Sequence, residues 1–266
     1  MTASKTGDPC WVDVYTSDPE GAITFYGQLF GWTADRADEE FGGYITFRKD
    51  GKAVAGGIGK TAADGGDGPD QWTVYLAAPD SKATADAAVA HGGTVVVAPM
   101  DVGDFGAMAV LGDVGGAGVG IWQAGTFGGF EAIGIASGGN WSDHVGIPSW
   151  FELHTLEYAR SLDFYRDVFG WSDTFTIADT PEFRYTTIHA GTPMLGGVMD
   201  DSAFLPDGVP ASWKVYFGAE DVDAAVAKVV ELGGTVLAQP EDTPYGRLAQ
   251  VADPTGARFS IGGNTR

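Results

Sequence analysis

Two short stretches hold the side chains best suited to chemistry. Glu152 and His154 stand two residues apart in WFELH (150–154), and Lys214 and Tyr216 stand two apart in WKVY (213–216). Side chains alternate between the faces of an extended strand, so the members of each pair share a side. A carboxylate, an imidazole, an ammonium and a phenol under partial burial are the ingredients of general acid–base catalysis. An ion pair between Glu152 and Lys214 beside a satisfied histidine is the plainer reading of the same residues, and the better supported one. Near the N-terminus, Trp11, Asp13 and Tyr15 alternate against Val12 and Val14. With Thr73, Tyr75 and Trp122 they make an aromatic set with one carboxylate, suited to stacking on a planar ligand.

The remaining reactive residues carry less. His91 precedes Gly92-Gly93 at a helix end, where the dipole favours a cation. His144 follows Asp143 in a Gly- and Ser-rich stretch, and His189 adjoins Ala190-Gly191. A metal site from Glu152, His154 and His189 is conceivable but has little behind it. Cys10, the single cysteine, excludes an intramolecular disulfide and has no evident partner as a nucleophile. Gly56-Gly57-Ile58-Gly59 lacks the Lys-Ser/Thr of a phosphate loop.

A formal charge of −21, from 15 basic and 36 acidic residues, argues against nucleic acid and anionic membranes as partners. No run approaches the length of a spanning helix and the first residues lack a signal-peptide core, so the expected location is the cytoplasm.

The elements that must position these residues come from an internal repeat. Residues 11–32 align without gaps to residues 150–171, and 7 of 22 positions are identical, among them Phe25-Tyr26 with Phe164-Tyr165 and Phe30-Gly31-Trp32 with Phe169-Gly170-Trp171. The match continues at offsets of 139–141 residues: WTVY from Trp72 with WKVY from Trp213, GGTV from Gly92 with GGTV from Gly233, and Asp113 with Asp253. A weaker repeat lies within each half. A strand at 11–16 leads to a helix at 19–29 closed by Gly31, and a strand at 72–78 leads to a helix at 81–91 closed by Gly92-Gly93. Short strands follow each helix, so the chain reads as four βαβββ modules. The expected boundaries are a first domain at 8–124, a linker at 125–147 and a second domain at 148–264. The aliphatic set of each leading strand should pack under a helix, leaving the polar and aromatic set on the open sheet face.

Paired βαβββ modules with these FY and FGW helix motifs, closed by Asp253-Pro254-Thr255-Gly256, resemble the vicinal oxygen chelate superfamily of glyoxalases, bleomycin-resistance proteins and extradiol dioxygenases. The tandem layout is similar to two-domain actinobacterial members, including accessory proteins, often called hydroxylases, of antibiotic clusters. The resemblance implies an α+β fold of two tandem domains, each a curved, mostly antiparallel sheet around a cavity. In metal-dependent members four side chains on the open face of each domain hold a divalent cation. Carried onto this chain, those positions are Trp11, Gly56 or Gly57, Thr73 and Gly120, then Trp150, Gly196 or Gly197, Lys214 and Ser260. Indole and glycine offer no ligand lone pair and an ammonium repels a cation. The expectation is therefore no metal and no cofactor. Trp11 and Trp122 then either stack on a ligand or fill the space a metal would leave.

The reading that follows is a metal-independent protein binding a small aromatic metabolite or antibiotic intermediate, as a monomer or homodimer. Trp11, Asp13, Tyr15, Thr73, Tyr75, Trp122, Trp150 and Ser260 would contact the ligand. The alternative is a cofactor-independent enzyme or accessory of secondary metabolism (isomerase, cyclase, lyase or hydroxylase component) using Glu152, His154, Lys214 and Tyr216.

Overall fold

The computed structural model describes residues 4–61, 68–134, 140–141, 144–188, 194–203 and 210–266. Four βαβββ modules follow one another along the chain. The first is β1 (Pro9–Thr16), α1 (Pro19–Phe30), β2 (Thr33–Arg36), β3 (Ile45–Lys49) and β4 (Lys52–Gly59). The second is β5 (Gln71–Ala77), α2 (Ser81–Ala90), β6 (Thr94–Val102), β7 (Gly106–Gly112) and β8 (Gly118–Ala124). The third is β9 (Pro148–Thr155), α3 (Tyr158–Phe169), β10 (Phe175–Asp179), β11 (Arg184–Thr187) and β12 (Gly196–Asp200). The fourth is β13 (Ser212–Gly218), α4 (Val222–Glu231), β14 (Thr235–Thr243), β15 (Gly246–Ala252) and β16 (Arg258–Gly263).

Two sheets result, with strand orders β2-β3-β4-β1-β5-β8-β7-β6 and β10-β11-β12-β9-β13-β16-β15-β14. This is the α+β, two-sheet arrangement expected from the repeat. Within each module the first strand pairs in parallel with the last, as β9 does with β12, and the other pairings are antiparallel.

Local chemistry sets the helix ends. Asp18 caps α1 by accepting from the Gly21 amide, Pro19 takes the first turn, and Gly31 closes it in the left-handed conformation at φ 71°. Gly170 does the same for α3 at φ 73°. The expected helices are displaced by at most a residue. α1 runs on to Phe30, and α2 stops at Ala90 with His91 in the cap position, the ring 3.5 Å from Asp167.

By contact the chain divides into two compact units, each taking one module from each half of the sequence. One holds Met1–Trp11, Val74–Gly129 and Phe151–Lys214, the other Val12–Thr73, Phe130–Trp150 and Val215–Arg266. The FY and FGW motifs form the core of each. In the second unit Tyr26, Phe30, Trp32, Phe47, Phe217 and Phe259 meet at centroid distances of 5.1–6.4 Å. In the first unit Phe164, Tyr165, Phe169, Trp171 and Trp213 do the same work, with Tyr165 stacked on Trp171 at 4.6 Å. Edge-to-face and offset pairs of this kind add to area burial. Val12, Val14, Phe151 and Leu153 are fully buried on the face opposite the polar set, as strand alternation requires. Among the described residues no helix is long and apolar enough to cross a membrane.

Candidate functional site

Strand β9 turns Glu152 and His154 to one side, and both are buried. The Tyr185 hydroxyl, from β11, donates to Glu152 Oε1 at 2.6 Å. Glu152 Oε2 lies 2.7 Å from His154 Nε2, and Asp201 Oδ2, just past β12, lies 2.6 Å from His154 Nδ1. With a carboxylate oxygen on each ring nitrogen, the geometry calls for both nitrogens to carry protons. Burial alone would disfavour that imidazolium. The charge of Glu152 and the hydrogen bonds that the ring donates to Asp201 and Glu152 outweigh it and lift the His154 pKa above its ordinary value, with Lys214 opposing. Lys214 Nζ stands 3.1 Å from the same Nδ1. Two carboxylates thus face an imidazole whose charged form they favour, together with one ammonium, in a place where an unbalanced charge set is costly.

The first half keeps the same frame with different chemistry. Tyr44, the repeat counterpart of Tyr185, donates to Asp13 Oδ2 at 3.2 Å. Tyr15 stands where His154 stands, and Lys60, where Asp201 stands, lies 5.6 Å from the Tyr15 ring centre. Lys60 also pairs with Asp70, whose carboxyl is pulled below the ordinary carboxylate range by Lys60 and Ser17 although burial works against that. A histidine–carboxylate bond in one half is therefore a cation–ring contact in the other.

Strand register settles which glycines share the open face. Gly197 lies opposite Glu152 and Gly56 opposite Asp13, while Gly196 and Gly57 lie opposite Phe151 and Val14. Aromatic rings close over two of the glycines at the metal positions. A Cβ on Gly197 would come within 2.5 Å of the Tyr185 ring, and one on Gly120 within 2.5 Å of the Tyr75 ring. Trp11, buried, packs its ring at 4.9 Å and 89° to Phe127, which also meets Trp122 at 6.0 Å. The Trp122 indole N–H donates to the Phe127 carbonyl at 2.9 Å. Thr73 is buried within β5 and Ser260 within β16. Indole, glycine, hydroxyl and ammonium groups do not fit a divalent cation.

Among the residues expected at the site, Glu152 and His154 come together through a hydrogen bond, and Lys214 Nζ stands beside the same ring. Trp11 and Trp122 meet through Phe127. Tyr216 and Trp150 pack together with Trp141, and Tyr216 is in register with Ser260. His189 and Asp143 lie outside the described residues. Sequence reasoning missed Tyr185, Asp201, Tyr44 and Trp141. Alternation along Arg184-Tyr185-Thr186-Thr187 marks Tyr185 as facing one way with Thr187, but nothing local says that the partner is Glu152. Asp201 reaches His154 only because its backbone N–H continues the β12 pairing onto the Thr155 carbonyl at 2.9 Å.

Comparison with known proteins agrees with this architecture. The model of the Glyoxalase/Bleomycin resistance protein/Dioxygenase superfamily matches residues 10–121 and again 143–261. The anthracycline biosynthesis protein DauV of Streptomyces sp. (strain C5) is 36% identical, the match covering 98% of this chain and 94% of that one. A putative glyoxylase, CFP32, of Mycobacterium bovis is 37% identical over 97% of this chain and 95% of its own. The Mn(II)-bound glyoxalase from Novosphingobium aromaticivorans shares the fold at a TM-score of 0.62 and 15% identity, over 99% of this chain and 84% of that one. The chain, matched in both of its repeats, belongs to the Glyoxalase/Bleomycin resistance protein/Dioxygenase superfamily.

Proposed function

We propose that this protein binds a planar aromatic small molecule without a metal ion. One observation carries the reading: the open-face positions that hold metal ligands in metal-dependent relatives carry Trp11, Gly56, Thr73, Gly120, Trp150, Gly197, Lys214 and Ser260, with the rings of Tyr75 and Tyr185 lying on two of those glycines. Loss of ligating groups removes the means of polarising a substrate through a cation. The aromatic lining supplies apolar area and orientation instead. A relative named for anthracycline biosynthesis supports a polycyclic aromatic ligand. The acidic surface favours a neutral or cationic ligand over an anionic one.

Native mass spectrometry combined with elemental analysis tests this. The expected result is retention of an added planar aromatic compound with only traces of divalent metal. About one equivalent of zinc, iron, manganese or nickel per domain, surviving chelator dialysis, overturns it.

The Tyr185–Glu152–His154–Asp201 chain supports a second reading, in which the bound molecule also exchanges a proton with the protein. The enzyme would then be a metal-free isomerase, cyclase, lyase or hydroxylase component working by acid–base transfer.

A further inference from the structure

The linker places one aromatic residue deep against the fourth module. Trp141 is 3% exposed, its indole N–H donates to the Tyr245 carbonyl at 2.9 Å, and its backbone N–H donates to Asn264 Oδ1 at 2.8 Å. Tyr216 packs with it, and Trp150 and Leu248 close the sides. Two glycines make the floor. A Cβ on Gly262 would lie within 2.6 Å of the six-membered ring (Cζ2 and Cζ3), and one on Gly246 would lie 2.9 Å from Cδ1. Gly246 also sits at φ 121°, where an L side chain is strained. Leu248 is in register with Gly262 and Gln250 with Ser260, so this floor shares the face of Ser260, one of the family's metal positions. The slot has the shape and depth of one flat ring.

The first half fills its equivalent slot differently. Gly106 is kept at the place of Gly246, but Trp122 occupies the place of Gly262, and a Cβ on Gly106 would come 2.7 Å from the Trp122 ring. That indole donates its N–H to the Phe127 carbonyl, as Trp141 does to Tyr245. In the first half the ring therefore belongs to strand β8, paired along its length to β7. It cannot leave without loss of ladder bonds. In the second half the strand contributes only glycine, and the ring comes from outside the sheet.

From this difference we infer that the slot on Gly246 and Gly262 is a binding site for a planar aromatic ring, occupied by Trp141 as a displaceable plug. The inference rests on the proposed aromatic ligand and says where it sits. The class is a flat fused-ring compound with a hydroxyl or N–H at its edge, which takes over the bond to the Tyr245 carbonyl that Trp141 now makes. Stacking on Tyr216 and Trp150 supplies the area.

The probe is 2-naphthol, whose edge hydroxyl is free to donate, titrated into the full chain and into Trp141→Ala. A slot open in only about 1–10% of molecules weakens apparent affinity by that fraction, so removing the plug should tighten binding by about tenfold or more. In parallel, free indole should raise the Tm of Trp141→Gly by clearly more than it raises that of the wild type. A natively folded Trp141→Ala that binds the probe no more tightly than wild type sinks the slot and leaves the aromatic-ligand reading standing. Absence of probe binding in both proteins sinks that reading, and the indole experiment then decides the slot alone. If truncation unfolds the protein, wild type labelled with 5-fluorotryptophan gives the answer. Saturating probe must shift the ¹⁹F signal assigned through Trp141→Phe towards the solvent-exposed position; an unmoved signal with probe bound overturns the proposal.

Discussion

The Tyr26 hydroxyl donates to Asp253 Oδ2 at 2.9 Å, and in the other half of the repeat the Tyr165 hydroxyl donates to Asp113 Oδ2 at 3.0 Å. Each tyrosine belongs to a helix motif and each aspartate to a turn before the last strand of a module in the opposite sequence half. The indole N–H of Trp72 donates to Tyr26 at 3.0 Å, and that of Trp213 to Tyr165 at 2.8 Å. The second oxygen of Asp253 accepts from the amides of Thr255 and Ala257, and that of Asp113 from Gly115 and Ala117. Burial pushes both phenols up in pKa, and the nearby aspartate charge adds to the effect, so they remain neutral donors. The motifs that identify the family are thus the two ends of one hydrogen-bond clasp, made twice.

Removing the donor should therefore cost stability rather than binding. Tyr26→Phe leaves the Asp253 carboxylate and the Trp72 N–H short of a partner in the core, at about 1–3 kcal/mol. Tyr165→Phe should cost a similar amount through Asp113. Urea denaturation measures both. A loss below about 0.5 kcal/mol, the range of an ordinary surface change, would mean that the clasp contributes little.

Trp11→Ala separates a ligand platform from core filling. If Trp11 stacks on ligand, binding of a planar aromatic compound should weaken about tenfold, from roughly 0.5–1.5 kcal/mol of ring stacking beyond area burial. If Trp11 serves only to pack Phe127, which it meets edge-on at 4.9 Å, the variant should lose about 3–5 kcal/mol of stability at unchanged affinity. Calorimetric titration and thermal denaturation of the same sample distinguish the two. Unchanged affinity in a folded variant removes Trp11 from the ligand site.

The fold was legible because its evidence is local or repeated. Gly31 and Gly170 follow identical aromatic motifs, and Val12 and Val14 alternate with Trp11 and Asp13, so helix ends and strand faces can be read within a dozen residues. The partnerships were not legible. Tyr26 finds Asp253 at a separation of 227 residues, and the compact units interleave the sequence halves, which no periodicity reports. At the candidate site, alternation placed Glu152 beside His154, but the groups that give them meaning, Tyr185 and Asp201, arrive from other strands. Trp141 was hidden for a different reason. It lies in a stretch whose composition marks it as linker, and its slot exists only because Gly246 and Gly262 leave the space.

The charge set around His154 makes a pH signature that tests whether it is a buried ion network or an acid–base site. The folded pKa of His154 is raised above its unfolded value of about 6.5, so its contribution to stability is complete below that pH. It is lost as pH rises through the higher folded value. Wild-type Tm should fall across that window, and His154→Gln should lack this part of the slope. The neighbours should move the window in opposite directions. Glu152→Gln removes the largest charge favouring the imidazolium and should bring the fall to lower pH, whereas Lys214→Met removes an opposing charge and should carry it higher. Identical pH–Tm profiles for the two variants would show that His154 does not carry the charge. Turnover decides the rest. If the cluster transfers protons, Glu152→Gln and His154→Ala should lower conversion of a bound ligand by about 10²–10⁴ while ligand affinity is retained. If it only binds and orients, the same variants shift Tm and affinity with no reaction to lose. Folded variants that bind normally and cease to convert ligand would make the acid–base reading the correct one and place Tyr185, the member of the chain on the face of Gly197, next to the transferred proton.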